Sequence, residues 1–413
     1  GKRKNLINMS TDCSEITATD LPRDIIIDIL SRLPVRSVLR FKCVCKSWYA
    51  LFKDPNFITK HFNRTTSDTT NTCFLYTPRR STTTNNCNRS ISLLSNDETF
   101  TIPINLNIPF LRISKPFRIS GTCDGLVCLS VVPLASIILL WNPATRVFKD
   151  LPTSPIARPN TLPIKVVLGF GFDQNAKDYK LLRIVYYCYP LSQVEVYSLS
   201  TNSWREIKTD LRCLIFESSC SVFLKGRFHW TAIGFQELNG RELIVSFDMG
   251  DEVFCYTKPP PFRFRDDDDY DDDDDDCLRW HLVVFKECLG MIICSDNGPN
   301  KKFDIWVMNE YGVAESWTKH ISFGPYPGIN RPMRCGKKCE VLLEKDDGDL
   351  VLYDPTSQTT KDLGAHGVVC WSDVFIHVES LLPIKGGKVA ERFNLDAVIP
   401  DFKFVRKFDL VLM

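Results

Sequence analysis

Six histidines, His61, His229, His281, His320, His366 and His377, are the side chains that would hold a metal or exchange a proton near neutral pH. They lie far apart, and no two share a ligand spacing. Cys335 and Cys339 stand four apart, but no second pair or histidine cluster joins them, which argues against a zinc site. His229 sits in "GRFHW" beside Trp230, where a strand histidine reads as packed rather than catalytic. "LGFGFD" (168–173) has two glycines but no following helix, which argues against a phosphate loop. "KDDGD" (345–349) places Asp346, Asp347 and Asp349 where a hairpin turn is expected, with a calcium site as the alternative. No nucleophile stands beside a base. These residues imply no catalytic group, no metal and no cofactor.

The 413 residues are 44% hydrophobic and 24% charged, ordinary globular composition. Residues 1–20 have no apolar core and do not read as a secretory signal. The greasiest run, 126–141, is broken by Pro133 and two serines and falls short of a membrane span. Seventeen scattered cysteines without a C-x-x-C pair then read as reduced thiols packed like small apolar residues. An intracellular protein with no nucleic-acid or membrane partner is expected.

The net charge of +1 hides a division. "RDDDDYDDDDDDC" carries ten aspartates: Asp266, Asp267, Asp268, Asp269, Asp271, Asp272, Asp273, Asp274, Asp275 and Asp276. Without them, 40 acidic residues face 51 basic ones, a surplus of 11 positive charges. Blocks of like charge rarely fold, so 265–277 reads as a solvated loop insertion. The sharper reading is a landing site for a basic partner. Arg263, Arg265 and Arg279 flank the run and offer a third fate, folding it back internally.

Near the chain start, Pro22 opens a helix and Pro34 stops it after Leu33. Six of the nine residues Ile25 to Leu33 are apolar, more than one buried face requires. Ser37 would cap a second helix, "VLRFKCVCKSWYALF". Val38, Phe41, Cys45, Trp48 and Phe52 would form its buried face, widened by Leu39, Val44 and Leu51. A third helix around Phe57 to Phe62 would close the bundle. Residues 21–62 are too few to bury this apolar surface among themselves. Either the rest of the chain or another protein must cover it.

"LPRDIIIDILSRLPVRSVLRFKCVCKSWYALFKDPNFI" closely resembles the F-box: the Leu-Pro start, the Leu-Pro-Val turn, the helix with "CKSW" and the Asp-Pro after it. The resemblance implies binding to the Skp-type adaptor of an SCF ubiquitin ligase, and through it to the cullin and RING subunits. By that resemblance Leu21, Pro22, Ile25, Ile29, Leu33, Pro34, Val35 and Leu39 are adaptor contacts. Phe41, Cys45, Trp48 and Phe52 are expected in the module's own core.

From about residue 74 strand signals dominate, and one unit recurs. An apolar strand ends in an aromatic residue and a turn, then a second strand follows, as in "IILLWNPATRVFKDLP" (137–152) and "VEVYSLSTNSWREI" (194–207). The equivalent turn residues Asn142, Ser198, Asp248, Asn309 and Asp354 are spaced by 56, 50, 61 and 45. A period near fifty without helical pattern predicts propeller blades; a β-sandwich would not need that period. The aromatic residues just before the turns, Trp141, Tyr197, Phe247, Trp306 and Tyr353, are expected to pack between blades. A sixth blade would join the strand 373–384 to a hairpin at 89–104. The expected architecture is α+β and multidomain: tail 1–18, an all-α F-box at 19–64, an all-β kelch-like propeller of about six blades at 65–390, and tail 391–413.

"CDGLVCL", "NPATR", "GFGFD", "DYKLLRI", "GRFHW" and "IVSFDM" resemble the F-box-associated domain of plants. "FDIWVMNEYGVAESWTK" (303–319) is similar to the S-locus F-box group of pollen. The resemblance implies a non-catalytic substrate receptor in the cytosol of the pollen tube. Its targets would be pistil S-ribonucleases, often basic proteins, in gametophytic self-incompatibility. An endogenous regulatory protein is the alternative substrate. A different class, a propeller enzyme or ligand-binding protein with a helical cap, would show no affinity for the adaptor.

Overall fold

In the computed structural model the described residues are 21–67, 72–77, 90–95, 104–107, 117–132, 134–155, 163–188, 191–209, 211–216, 222–235, 241–261, 280–296, 300–336, 338–366 and 374–389. Both tails and the acidic run lie outside them.

Four helices come first: α1 (Arg23–Leu30), α2 (Val35–Phe41), α3 (Lys46–Leu51) and α4 (Pro55–Ser67). The carbonyl of Pro22 accepts the amides of Ile25 and Ile26, and that of Pro34 accepts the amide of Val38. The two prolines thus set the entries of α1 and α2, and Ser37 lies inside α2 rather than capping it. The expected long second helix is broken. Cys45 is extended (φ −156°, ψ 164°) and starts α3. "KCVC" mixes a β-branched residue with two cysteines, all weak helix formers, and the bend turns the aromatic side chains inward. Phe41, Trp48, Phe52, Phe57 and His61 follow one another at ring separations of 5.7, 6.2, 5.3 and 6.1 Å. The same bend leaves Val44, 61% exposed, and Cys45 outside the core where they were expected. Asp54 caps α4 by accepting the Asn56 amide at 2.8 Å, with Pro55 in the first turn.

Strands form six antiparallel sheets, the blades of a propeller. Each third strand ends at or next to the turn residue expected from the sequence: Ile138–Asn142, Leu191–Ser198, Glu242–Asp248, Asn300–Met308 and Asp349–Asp354. Carboxylate or amide oxygens then tie down the turns. Asn142 Oδ1 accepts the amides of Ala144 and Thr145, and Asp248 Oδ1 those of Gly250 and Asp251. Trp141, Tyr197, Phe247 and Tyr353 are buried.

The family-like motifs pack blade on blade. A Cβ on Gly169 would touch Phe228 and Trp230 at 3.0–3.1 Å, so "GFGFD" is the seat for the next blade's "RFHW". Lys180 of "DYKLLRI" donates across the junction to Glu252 at 2.8 Å and pairs with Asp173 within its own blade. His229 is buried between the Val222 carbonyl (3.2 Å) and the Tyr311 hydroxyl (2.7 Å), a structural position.

The sixth blade joins the C-terminal strand and the 89–104 hairpin in one sheet as expected, with one further strand between them. Val374–Val378 pairs with Thr72–Tyr76, not with the 89–104 hairpin. Thr72–Tyr76 then pairs with Ser90–Ser95, and that strand with Ile104–Asn107. The short strand "TCFLY" is thus inserted between the two elements that were matched directly.

From Val378 the chain does not stop. Residues 379–389 form a strap across the adjoining blade, whose strands are Phe117–Cys123, Leu126–Val131, Ile138–Asn142 and Val147–Asp150. Asn142 Nδ2 donates to the carbonyls of Ser380 (3.1 Å) and Leu382 (2.9 Å). Lys149 Nζ donates to the Lys385 carbonyl at 2.8 Å. Lys388–Val389 then adds a fifth strand beside Val147–Phe148. Gly125 turns under the strap with φ +80°, and a Cβ there would lie 2.5 Å from Ser380 Cβ. Gly125→Ala therefore combines backbone strain with a clash, and a loss of about 2 kcal/mol or more is expected. A denaturant midpoint equal to wild type would contradict it.

Buried histidines set the acid limit of the propeller. Burial lowers His229 and His377 to about 4 and His281 to about 3, from an ordinary 6.5. Their unfolded forms take up protons below about 6.5, whereas the folded forms stay neutral. Stability is therefore complete above that pH and falls as the pH drops toward 4, by roughly 3 kcal/mol per ring at the limit. Melting temperatures from pH 7.5 to 4.5 should decline steeply below 6.5. His229→Gln, His281→Gln and His377→Gln together should flatten the decline.

Candidate docking site

Ile25 and Ile29, four apart, share one face of α1, and Leu21 lies in the bend just before the helix. All three are exposed, at 51%, 45% and 48%. The opposite side of α1 is committed inward. Leu30 lies in a buried cluster with Val35, Val38, Leu51, Phe52, Phe57 and Ile58, against which Ile26 and Ile27 pack. That cluster also contains Leu381 of the strap, with Leu382 and Ala144 alongside. The chain itself thus covers one side of the greasy helix and leaves the other open. The first reading, cover by the rest of the chain, holds for the inward face.

The open face is held firmly from behind. Arg64 of α4 donates to the Asp28 carbonyl (2.8 Å), to the Asp28 carboxylate and to Ser31 Oγ. Arg32 reaches the other Asp28 oxygen at 3.0 Å. The Arg64 guanidinium, chief among these partners, holds the Asp28 carboxyl below its ordinary range. His61, kept neutral by burial, lies with Nε2 2.8 Å from the Leu33 carbonyl. That contact fixes the Leu33–Pro34 corner. Pro34 is exposed there; Leu33 and Leu39 are half-buried.

Pro22 is exposed. Val35 is a correction: at 2% exposure it belongs to the internal cluster, because the Pro34 start turns Val35 and Val38 toward Phe52. It offers nothing to a partner. Tyr49, 47% exposed, is an apolar surface residue that sequence reading missed. The 3–4 spacing signal tracks buried faces, and exposure on a short helix leaves no such trace.

The ten acidic candidates, Asp266 to Asp269 and Asp271 to Asp276, lie outside the described residues. Their flanks are placed. They connect an outer strand ending at Thr257 to the first strand of the next blade at Trp280. By antiparallel alternation the flanking strand ends, Thr257 and Trp280, lie at the blade ends opposite the 143–146 turn.

Among the described residues no three or more histidine, cysteine, aspartate or glutamate side chains are grouped to hold a metal. Among them, no helix is long and apolar enough to cross a membrane.

The F-box domain family matches residues 19–60, and the F-box associated beta propeller domain family matches residues 81–381. This chain belongs to the plant F-box proteins. F-box protein At3g07870 of Arabidopsis thaliana is 29% identical, with 87% of this chain and 91% of the relative covered. F-box/kelch-repeat protein At3g23880 of the same plant is 28% identical over 81% and 88%. F-box protein CPR1, also from Arabidopsis thaliana, is 27% identical over 83% and 84%. As an F-box protein the chain is a substrate-recognition subunit of the SCF type: its helical module binds a Skp-type adaptor and its propeller binds substrate.

Proposed function

We propose that the Ile25 and Ile29 face of α1, with Leu21 and Pro22 just before the helix and the Leu33–Pro34 corner with Leu39, is where the Skp-type adaptor sits. The observation that carries this is the two-sided helix: one face sealed by the strap cluster, the other open and apolar. The propeller holds the substrate, and the chain contributes no acid, base or nucleophile. The assembled ligase transfers ubiquitin because both reactants are held close together.

For the substrate, a basic secreted-type ribonuclease of the pistil fits best, in gametophytic self-incompatibility within the pollen tube. Two features support it: the likeness of residues 303–319 to the S-locus group, and the run of ten aspartates in an otherwise basic chain. A basic protein would be steered to such a run by long-range attraction. Replacing the ten aspartates with Ser and Asn should weaken binding to a basic ribonuclease at least tenfold at low salt. It should also flatten the salt dependence of binding. Unchanged affinity and unchanged salt slope would remove the acidic run from the site.

A further inference from the structure

The strap is the only described segment that touches ring closure, a blade edge and the helical module at once. Its start, Glu379, follows directly on the closing strand and lies 3.8 Å from Arg36 of α2. Ser380 and Leu382 carbonyls accept the Asn142 amide. Leu381 enters the helical cluster. Lys388–Val389 completes the blade edge. Two family-like motifs meet it: Gly125 of "CDGL" passes beneath Ser380, and Asn142 of "NPATR" ties it down.

The helical module has two covers for one small core. The strap takes the inward side of α1 and the adaptor, on the reading above, takes the outward side. A module this small, with apolar residues left in water, is marginal by itself. Whatever orders α1 for the adaptor also orders the surface that receives Leu381. Two ligands of one folding equilibrium favour each other, and the coupling is reciprocal. We propose that adaptor docking tightens closure of the propeller ring, transmitted by the strap 379–389. A receptor outside the ligase would then hold a looser ring than one within it.

The inference rests on the adaptor reading, so the test measures binding separately. The full-length chain is titrated with a plant Skp-type adaptor to obtain the Kd. Amide hydrogen exchange is then followed over residues 72–77 and 374–389, with and without saturating adaptor. Exchange over 300–308, in a blade remote from the strap, serves as reference. The expected result is at least about tenfold slower exchange at the closing strands, with the reference unchanged. Leu381→Ser should lose the slowing and, by reciprocity, weaken adaptor binding by up to about the same tenfold, and Leu381→Met should restore both. Leu382→Ser, at a less buried position, is the second variant if Leu381→Ser does not fold. Binding without slowing in the wild type overturns the coupling. Equal slowing in the serine variants overturns the strap as its carrier. No binding to the wild type would overturn the adaptor reading itself, and the titration alone would show it.

Discussion

A chain carrying Ile25→Asp and Ile29→Asp is expected to lose its Skp-type adaptor by at least about a hundredfold, yet to melt within a few degrees of wild type. Each isoleucine is roughly half exposed on the open face of α1 and makes little of the internal core. In the free protein an aspartate there stays in water and costs little, apart from some helix propensity. In the complex both charges would be pressed into an apolar contact, and a hundredfold loss corresponds to only about 2.7 kcal/mol. Co-purification and titration calorimetry read the first effect, and differential scanning calorimetry the second. Retained binding would mean that the adaptor sits elsewhere on the module. A control at Leu30 should behave oppositely: Leu30→Asp is expected to unfold the module, because that side chain is buried in the strap cluster.

The largest effect on stability should come from the buried pair Arg331–Glu344. The two residues face each other on neighbouring strands, Nε to Oε2 at 2.7 Å, and are 3% and 0% exposed. Glu344→Leu leaves a guanidinium without its carboxylate in a dry interior, at a cost of about 3–5 kcal/mol. A loss of that size is a large part of a domain's whole stability. The double variant Arg331→Met, Glu344→Leu removes both charges and should recover most of it, since apolar pairs replace buried ion pairs at little cost. Denaturant unfolding of wild type, Arg331→Met alone, Glu344→Leu alone and the double variant gives the coupling directly. Additive losses would mean that the two groups are not acting as a pair.

The propeller was readable because its signal is local and repeated. In three blades an aromatic residue followed by a turn-capping Asn or Asp ends the third strand (Trp141–Asn142, Phe247–Asp248, Tyr353–Asp354), and a fourth has Tyr197–Ser198. The strand Thr72–Tyr76 was not included in the closing blade for the opposite reason. "TCFLY" is five residues long and has no hairpin turn of its own, so only its tertiary partner makes it a strand. In the helical module, apolar spacing at 38, 41, 45, 48 and 52 fits one long helix as well as two short ones. The bend at Cys45 is decided by aromatic packing against α4. The strap carries no periodic pattern at all. "LLPIKGG" hints only that an apolar segment follows the last blade, and its contacts with Asn142 and the helical core are long-range.

The pairing of residues 72–76 with 374–378 has a consequence for the protein's birth. During synthesis the first blade emerges early but waits for its inner strand until the last blade has left the ribosome. Leu381 follows immediately after, so the helical core is completed in the same moment. Contacts this remote in sequence are slow to form and leave strand edges exposed meanwhile. A prematurely terminated copy would lack both the seal of the ring and the plug of the helices. Such a product would be a poor ligase subunit and a ready client for chaperones and proteases, so only finished chains would compete for the adaptor.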